Sequence, residues 1–212
     1  MTDPRKIAEA VISGKTDQVK ILVGKALAEN IPVRDILNKG LIGGMDEVGV
    51  KFRANDFYIP EVLIAARAMQ AGLDILQPML TLAGVESLAR VAIGTVRGDL
   101  HDIGKNLVAM MLKGGGFEVI DLGIDVPVEK FIAAVRENGV QILGLSALLT
   151  TTMPGMEEVI RTLEKEGLRA KVKIMVGGAP VTQAYADRIG ADAYGEDAAA
   201  AVLKAKEVLG LN

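Results

Sequence analysis

The 212-residue chain is half hydrophobic and 24% charged, enough for a sizeable core and, at about 100 residues each, for two domains. Its 24 basic and 27 acidic residues leave a net charge of −3, without the clustered cationic excess on which nucleic-acid binding rests, so no nucleic-acid partner is expected. The absence of cysteine and the single histidine, His101, exclude thiolate chemistry, disulfides, iron–sulfur clusters and any metal site built from several histidines.

Over residues 1–88 the pattern is helical throughout. A short helix is expected over about residues 4–13. After Thr16, the apolar residues Val19, Leu22, Val23, Ala26 and Leu27 mark one face of a second helix, with Thr16 or Asp17 as its cap and Pro32 beyond its end. Ile36, Leu37, Leu41, Met45, Val48 and Phe52 continue the helical spacing, interleaved with Gly40, Gly44 and Gly49. Each such glycine is unfavourable by about 1 kcal/mol relative to alanine, which suggests close contact with another helix. Pro60, at a favoured first helical position, opens a further helix with Val62, Ala66, Met69, Leu73, Leu76 and Leu80 on one side. Short connections between these helices predict a small antiparallel four-helix bundle.

Over residues 89–212 short β-rich runs alternate with helical ones, as in βα units around a parallel sheet. Strands are expected at Val91–Val96, Glu118–Leu122, Ile142–Ser146, Lys173–Val176 and Ala193–Tyr194. Their Val, Ile and Leu content fits burial on both faces. Helices are expected at Ile103–Lys113, Val128–Asn138, Met156–Lys165, Val181–Ile189 and Asp197–Leu209, with Gly114-Gly115-Gly116 as a helix stop. The fold class is therefore α/β: a helical bundle followed by a five-stranded parallel sheet of flavodoxin-like order 2-1-3-4-5. Such sheets bind ligands beyond the carboxyl ends of their strands. No apolar run approaches the roughly 18 residues of a membrane span, and the opening Met-Thr-Asp-Pro-Arg-Lys lacks the core of a signal peptide. A cytoplasmic location without membrane association is expected.

The polar and glycine outliers cluster where strands one, three and four end: Gly98-Asp99-Leu100-His101-Asp102-Ile103-Gly104, Ser146-Ala147-Leu148 with Thr150-Thr151-Thr152, and Gly177-Gly178. Taken singly, a lone histidine is a surface or satisfied core residue, a glycine pair is a turn, and Ser146 is a helix cap. Their convergence on one edge favours a ligand site. Neutral imidazole binds transition metals, and Asp99, two residues before His101, is placed to fix its tautomer. A single protein ligand holds a metal only when a macrocycle supplies the other bonds, since free-ion sites use three or more. That points to a haem or a corrin.

Asp99-x-His101-x-x-Gly104, then 41 residues, Ser146-x-Leu148, then 28 residues and Gly177-Gly178 resemble the signature of base-off, histidine-on cobalamin-binding domains. The segments Gly44-Met45-Asp46-Glu47-Val48-Gly49-Val50-Lys51-Phe52 and Phe57-Tyr58-Ile59-Pro60-Glu61-Val62 resemble the helical cap of the methyltransferase branch. Together they cover nearly the whole chain and point to the corrinoid proteins of methanol, methylamine and methoxy-aromatic methyltransferase systems, with the cobalamin module of methionine synthase as a more distant relative.

By that resemblance the cofactor is cobalamin or a related corrinoid, carried in its methylcobalamin form, and His101 is the lower ligand of cobalt. Asp99 accepts a hydrogen bond from the other ring nitrogen. Thr152, six residues beyond Ser146, completes the relay at the position where the methionine synthase family has serine. Asp102, Ile103, Gly104 and Leu148 belong to the cofactor-binding loops. Ser146 and Thr150 contact the nucleotide tail, Gly177 and Gly178 let it approach the backbone, and Asp197 closes its pocket. Phe52 and Ile59 shield the upper face. The resemblance further implies a substrate:corrinoid methyltransferase, a corrinoid:tetrahydrofolate or corrinoid:thiol methyltransferase, and a reductive activating protein as partners. The competing readings are the cobalamin subunit of an adenosylcobalamin mutase, to which the helical half does not correspond, and a cobalamin-responsive regulator, which would need a DNA-binding module.

Overall fold

The structure, a computed structural model, describes residues 2–211. The chain divides into two compact units, one running to Ser87 together with Gly114–Gly116, the other comprising the remainder from Leu88.

The first unit is helical. Helix α1 (Pro4–Ile12) is capped by Asp3, whose carboxylate accepts the Arg5 N–H at 2.9 Å. Helix α2 (Thr16–Ala28) is not capped by Thr16 or Asp17: its N-cap is Lys15, without a side-chain hydrogen bond. The reason lies in the link. Gly14, at φ +63°, turns the chain so tightly that Lys15 N–H still bonds the Ala10 carbonyl at 2.9 Å, and Thr16 is already helical. Asp17 instead places negative charge in the first turn, where the helix dipole favours it.

The expected third helix is one continuous rod of mixed geometry: α3 (Val33–Asp35), a π-helical segment (Ile36–Ile42) and α4 (Gly43–Arg53). The wider π turn buries Ile36, Gly40 and Leu41, leaving Leu37 only half-buried. Gly44 fulfils the close-contact expectation, because a Cβ there would lie 2.9 Å from Val11 Cβ on α1. Helix α5 (Ile59–Leu82) has Pro60 in its first turn, and Glu61 accepts the Tyr58 N–H at 3.0 Å. It buries Val62, Ala66, Met69, Leu76 and Leu80. Leu73 is only half-buried, and Gly72 takes the inward place against Leu41 and Val19.

The second unit alternates β1 (Arg90–Val96), α6 (Ile103–Gly114), β2 (Glu118–Val126), α7 (Val128–Glu137), β3 (Ile142–Ser146), α8 (Pro154–Lys165), β4 (Lys173–Gly177), α9 (Gln183–Ile189), β5 (Ala193–Gly195) and α10 (Ala198–Val208). All pairings are parallel and the order is β2-β1-β3-β4-β5, as the sequence predicts. The glycine run closes α6 as a helix stop, with Phe117 N–H on the Leu112 carbonyl at 3.1 Å.

Phe131, Leu143, Met156, Ile160 and Ile174 form part of the core on one face of the sheet. Strands β1 and β3 are buried almost throughout, as expected of central parallel strands. The same expectation fails for β2, an edge strand in which only Leu122 and Val126 are buried and which continues past Leu122 to Val126. Its register against β1 shifts at Ile93/Gly94 and again at Gly94/Val96, and Gly123 and Asp125 have φ of +94° and +49°. Parallel pairing brings the loops after β1, β3 and β4 to one edge of the sheet.

Candidate active site: a buried carboxylate behind the single histidine

Strand β1 ends in a turn closed by Asp99 N–H on the Val96 carbonyl at 3.1 Å, which carries the Asp99 side chain to complete burial. Its Oδ1 accepts the His101 N–H at 3.1 Å and lies 2.8 Å from His101 Nδ1. Its Oδ2 accepts the Leu148 N–H at 2.7 Å, the Leu149 N–H at 3.3 Å and the Thr152 hydroxyl at 2.7 Å. Burial pushes the carboxyl pKa upward, but the donors from Thr152, Leu148 and His101 outweigh it and hold Asp99 well below the usual carboxylate range. Asp99 is therefore an anion near neutral pH.

An anion at Nδ1 favours the tautomer protonated there and leaves Nε2 as the bare, electron-donating nitrogen. The ring is 50% exposed, and the His101 backbone carbonyl accepts the Thr95 hydroxyl at 2.9 Å. Around it stand exposed apolar side chains: Leu100 on its own loop, Ile103 at the start of α6, and Leu148 and Leu149 on the loop after β3. A basic nitrogen beside exposed apolar surface fits a large, partly apolar macrocycle carrying a metal that needs one more ligand. Among the described residues no group of three or more His, Asp or Glu side chains could hold a metal ion by itself.

Beside this group the sheet register sets Thr95, Ser146, Gly177 and Gly195 in a row across adjacent strands. At Gly178, φ is +132° and a Cβ would fall 1.9 Å from the Ala147 carbonyl oxygen, so only glycine fits. The row consists of small residues at the carboxyl ends of these strands.

The expected residues are thus distributed unevenly. Asp99, His101 and Thr152 form one hydrogen-bonded group, joined by the Leu148 amide. Ser146 and Gly177 pair within the sheet beside it. Asp102 and Thr150 are exposed on the flanking loops and Ile103 and Gly104 are exposed in the first turn of α6, with Asp102 also accepting from Asn106 Nδ2 at 3.1 Å. Asp197 caps α10 through the Ala200 N–H at 2.7 Å. Phe52, half-buried, and Ile59, exposed, lie in the helical unit outside its buried core.

Sequence reasoning missed the Leu148 and Leu149 amides, since a backbone donor leaves no mark in residue type. It also missed Thr95, and Lys105, which is buried and bonded to Asp121 at 2.6 Å and to Asn106 Oδ1 at 2.6 Å. An amphipathic reading of α6 could have flagged Lys105, whose charge falls on the inward face.

The family model described as B12 binding domain matches residues 89–203, and a second model of the same description matches residues 5–77. The chain is 49% identical over 204 residues to dimethylamine corrinoid protein 3 of Methanosarcina acetivorans, covering 96% of this chain and 95% of that one. A cobalamin-binding protein from Desulfitobacterium hafniense superposes with a TM-score of 0.83 at 34% identity, with 98% of each chain covered. The methanol:cobalamin methyltransferase complex of Methanosarcina barkeri gives a TM-score of 0.85 at 31% identity, over 98% of this chain and 79% of that one. Among the described residues no helix is long and apolar enough to cross a membrane. The chain belongs to the B12-binding domain family and, within it, to the corrinoid proteins of methyltransferase systems.

Proposed function

We propose that this protein is a methyl carrier: it accepts a methyl group on its corrinoid from a substrate-specific methyltransferase and yields it to a second methyltransferase whose acceptor is tetrahydrofolate or a thiol. The observation that carries the reading is the Asp99 carboxylate, fully buried, held ionised by Thr152 and Leu148, and bonded to Nδ1 of a half-exposed His101. Bound corrin supplies the cobalt centre at which the methyl group is taken up and released.

The protein's own part is to present Nε2 of His101 as the lower ligand and to set its basicity through Asp99. Thr152 holds Asp99 in place and couples the ligand to the protonation state of the group. The Ser146–Gly177–Gly178 row accommodates the nucleotide tail, with Thr150 and Asp102 on the flanking loops and Ile103 and Gly104 at the start of α6. Phe52 and Ile59, outside the bundle core, are free for the shielding role that the resemblance implies. Similarity to dimethylamine corrinoid proteins supports a methylated amine as donor, and a reductive activating protein would return an oxidised cofactor to service.

The test is reconstitution with cobalamin followed by electron paramagnetic resonance of the Co(II) state and incubation with labelled methylamines in extract of the source cells. The expected result is imidazole nitrogen coupling that is lost in His101→Ala, and label transferred to wild-type protein. Benzimidazole coupling in the wild type, or no label uptake from any methyl donor, would overturn the proposal.

A further inference from the structure

The end of β2 is built for something other than strand pairing. Positive φ is uncommon for a residue other than glycine, and aspartate is among the few that adopt it readily. At φ +49°, Asp125 turns both its main chain and its side chain onto the turn that carries Asp99. Its Oδ1 accepts the Gly98 N–H at 2.7 Å, and its own N–H donates to the Asp99 carbonyl at 3.0 Å. Gly98 occupies the third position of the Val96–Asp99 turn with φ +80°, as glycine does in type II turns. The turn is thus closed from within by Asp99 N–H on Val96 and gripped from outside, at Gly98 and at the Asp99 carbonyl, by one residue near the end of β2.

Asp125 is exposed and, among the described residues, forms no ion pair with a cation. Its Oδ1 and its backbone N–H both serve this turn. The Oδ1 acceptor on the Gly98 N–H fixes the backbone from which the histidine's partner projects.

We propose that Asp125 is a positioning residue for His101: by bracing the Val96–Asp99 turn it keeps Asp99 Oδ1 on Nδ1 and so keeps Nε2 in its donor form. This rests on the assignment of His101 as corrinoid ligand made above. The acceptor oxygen, rather than the negative charge or the strained φ, does the bracing. Asn at this position preserves it, whereas Ala and Gly remove it, Gly while also relieving the backbone.

The experiment compares wild type with Asp125→Asn, Asp125→Ala and Asp125→Gly in the full chain. Because the protein has one histidine, nitrogen NMR of the corrinoid-free protein at a single neutral pH gives the tautomer ratio of His101 without ambiguity. Loss of one hydrogen bond corresponds to about a fivefold change in an equilibrium. Asp125→Ala and Asp125→Gly should therefore raise the minor tautomer about fivefold, while Asp125→Asn stays near wild type. With Co(II) cobalamin bound, the fraction lacking imidazole coupling should follow the same order, with corrinoid retained.

A wild-type tautomer ratio in Asp125→Ala or Asp125→Gly, or a change in Asp125→Asn as large as in Asp125→Ala, would overturn the proposal. If the loaded wild type showed no imidazole coupling, the ligand assignment would fall, while the NMR comparison would still decide the role of Asp125.

Discussion

Replacing Thr152 by valine removes one hydroxyl and keeps the side chain's shape. The Thr152 oxygen lies 2.7 Å from Asp99 Oδ2 and 2.9 Å from the Leu149 carbonyl. A hydroxyl has one proton to give, and the shorter bond to an anion takes it. Hydrogen bonds to charged groups contribute about 1.5–3 kcal/mol. The lower part of that range applies, since Oδ2 keeps the Leu148 amide at 2.7 Å. A loss of about 2 kcal/mol follows, or roughly 6 °C in Tm for a chain of this size.

Near-UV circular dichroism during denaturation suits the measurement. The chain has no tryptophan, and two of its three tyrosines, Tyr185 and Tyr194, lie in the sheet unit. Thr152→Ser keeps the donor and should stay within about 1 kcal/mol of wild type. If Thr152→Val matched the wild type, the hydroxyl would not be holding Asp99. If the serine variant fell as far as the valine variant, lost methyl packing rather than a lost donor would be responsible.

Asp121 faces buried Lys105, and although burial raises its pKa, the Lys105 hydrogen bond, the Gly123 N–H and the lysine charges lower it below the ordinary value. Its folded pKa therefore lies under its unfolded one, so its contribution is present above about pH 4 and is lost as the pH falls through the folded value. Asp121→Asn should flatten the acid side of the stability profile, followed as denaturation midpoints from neutral pH downward; an unchanged slope would remove the ion pair from the account. Gly178→Ala puts a methyl 1.9 Å from the Ala147 oxygen at φ +132°, and should destabilise the sheet unit by about 1–3 kcal/mol. Cobalamin affinity should fall with it, measured by equilibrium titration, and wild-type values in both measurements would show that the backbone shifts without effect.

Much of the site was legible because its chemistry lies in side chains of rare type. One histidine with an aspartate two residues away, and strand ends spaced as βα units require, locate the group without coordinates. The order β2-β1-β3-β4-β5 is that of the flavodoxin-like sheet which five successive βα units suggest. What stayed hidden is held by backbone atoms or by contacts distant in sequence. The Leu148 amide meets Asp99 across 49 positions, and nothing in the leucine side chain announces it. The expected end of β2 at Leu122 lies four residues short of Val126, because Gly123 marks an irregularity in the ladder rather than the end of the strand. The cap of α2 failed at Thr16 for a related reason, since a tight Gly14 link decides which residue is first in the helix.

The shifted register of β2 has a second effect, on solubility. A regular edge strand offers a row of free amides and carbonyls to any other sheet that drifts past, and proteins commonly blunt such edges with bulges and charges. At this edge Gly123 and Asp125 leave the extended conformation, and Glu118, Asp121 and Asp125 put carboxylates on the exposed strand. At the opposite edge β5 is only three residues long. A foreign strand finds little continuous ladder on which to zip, so the irregularity that grips the Asp99 turn also keeps separate copies of the sheet from joining edge to edge.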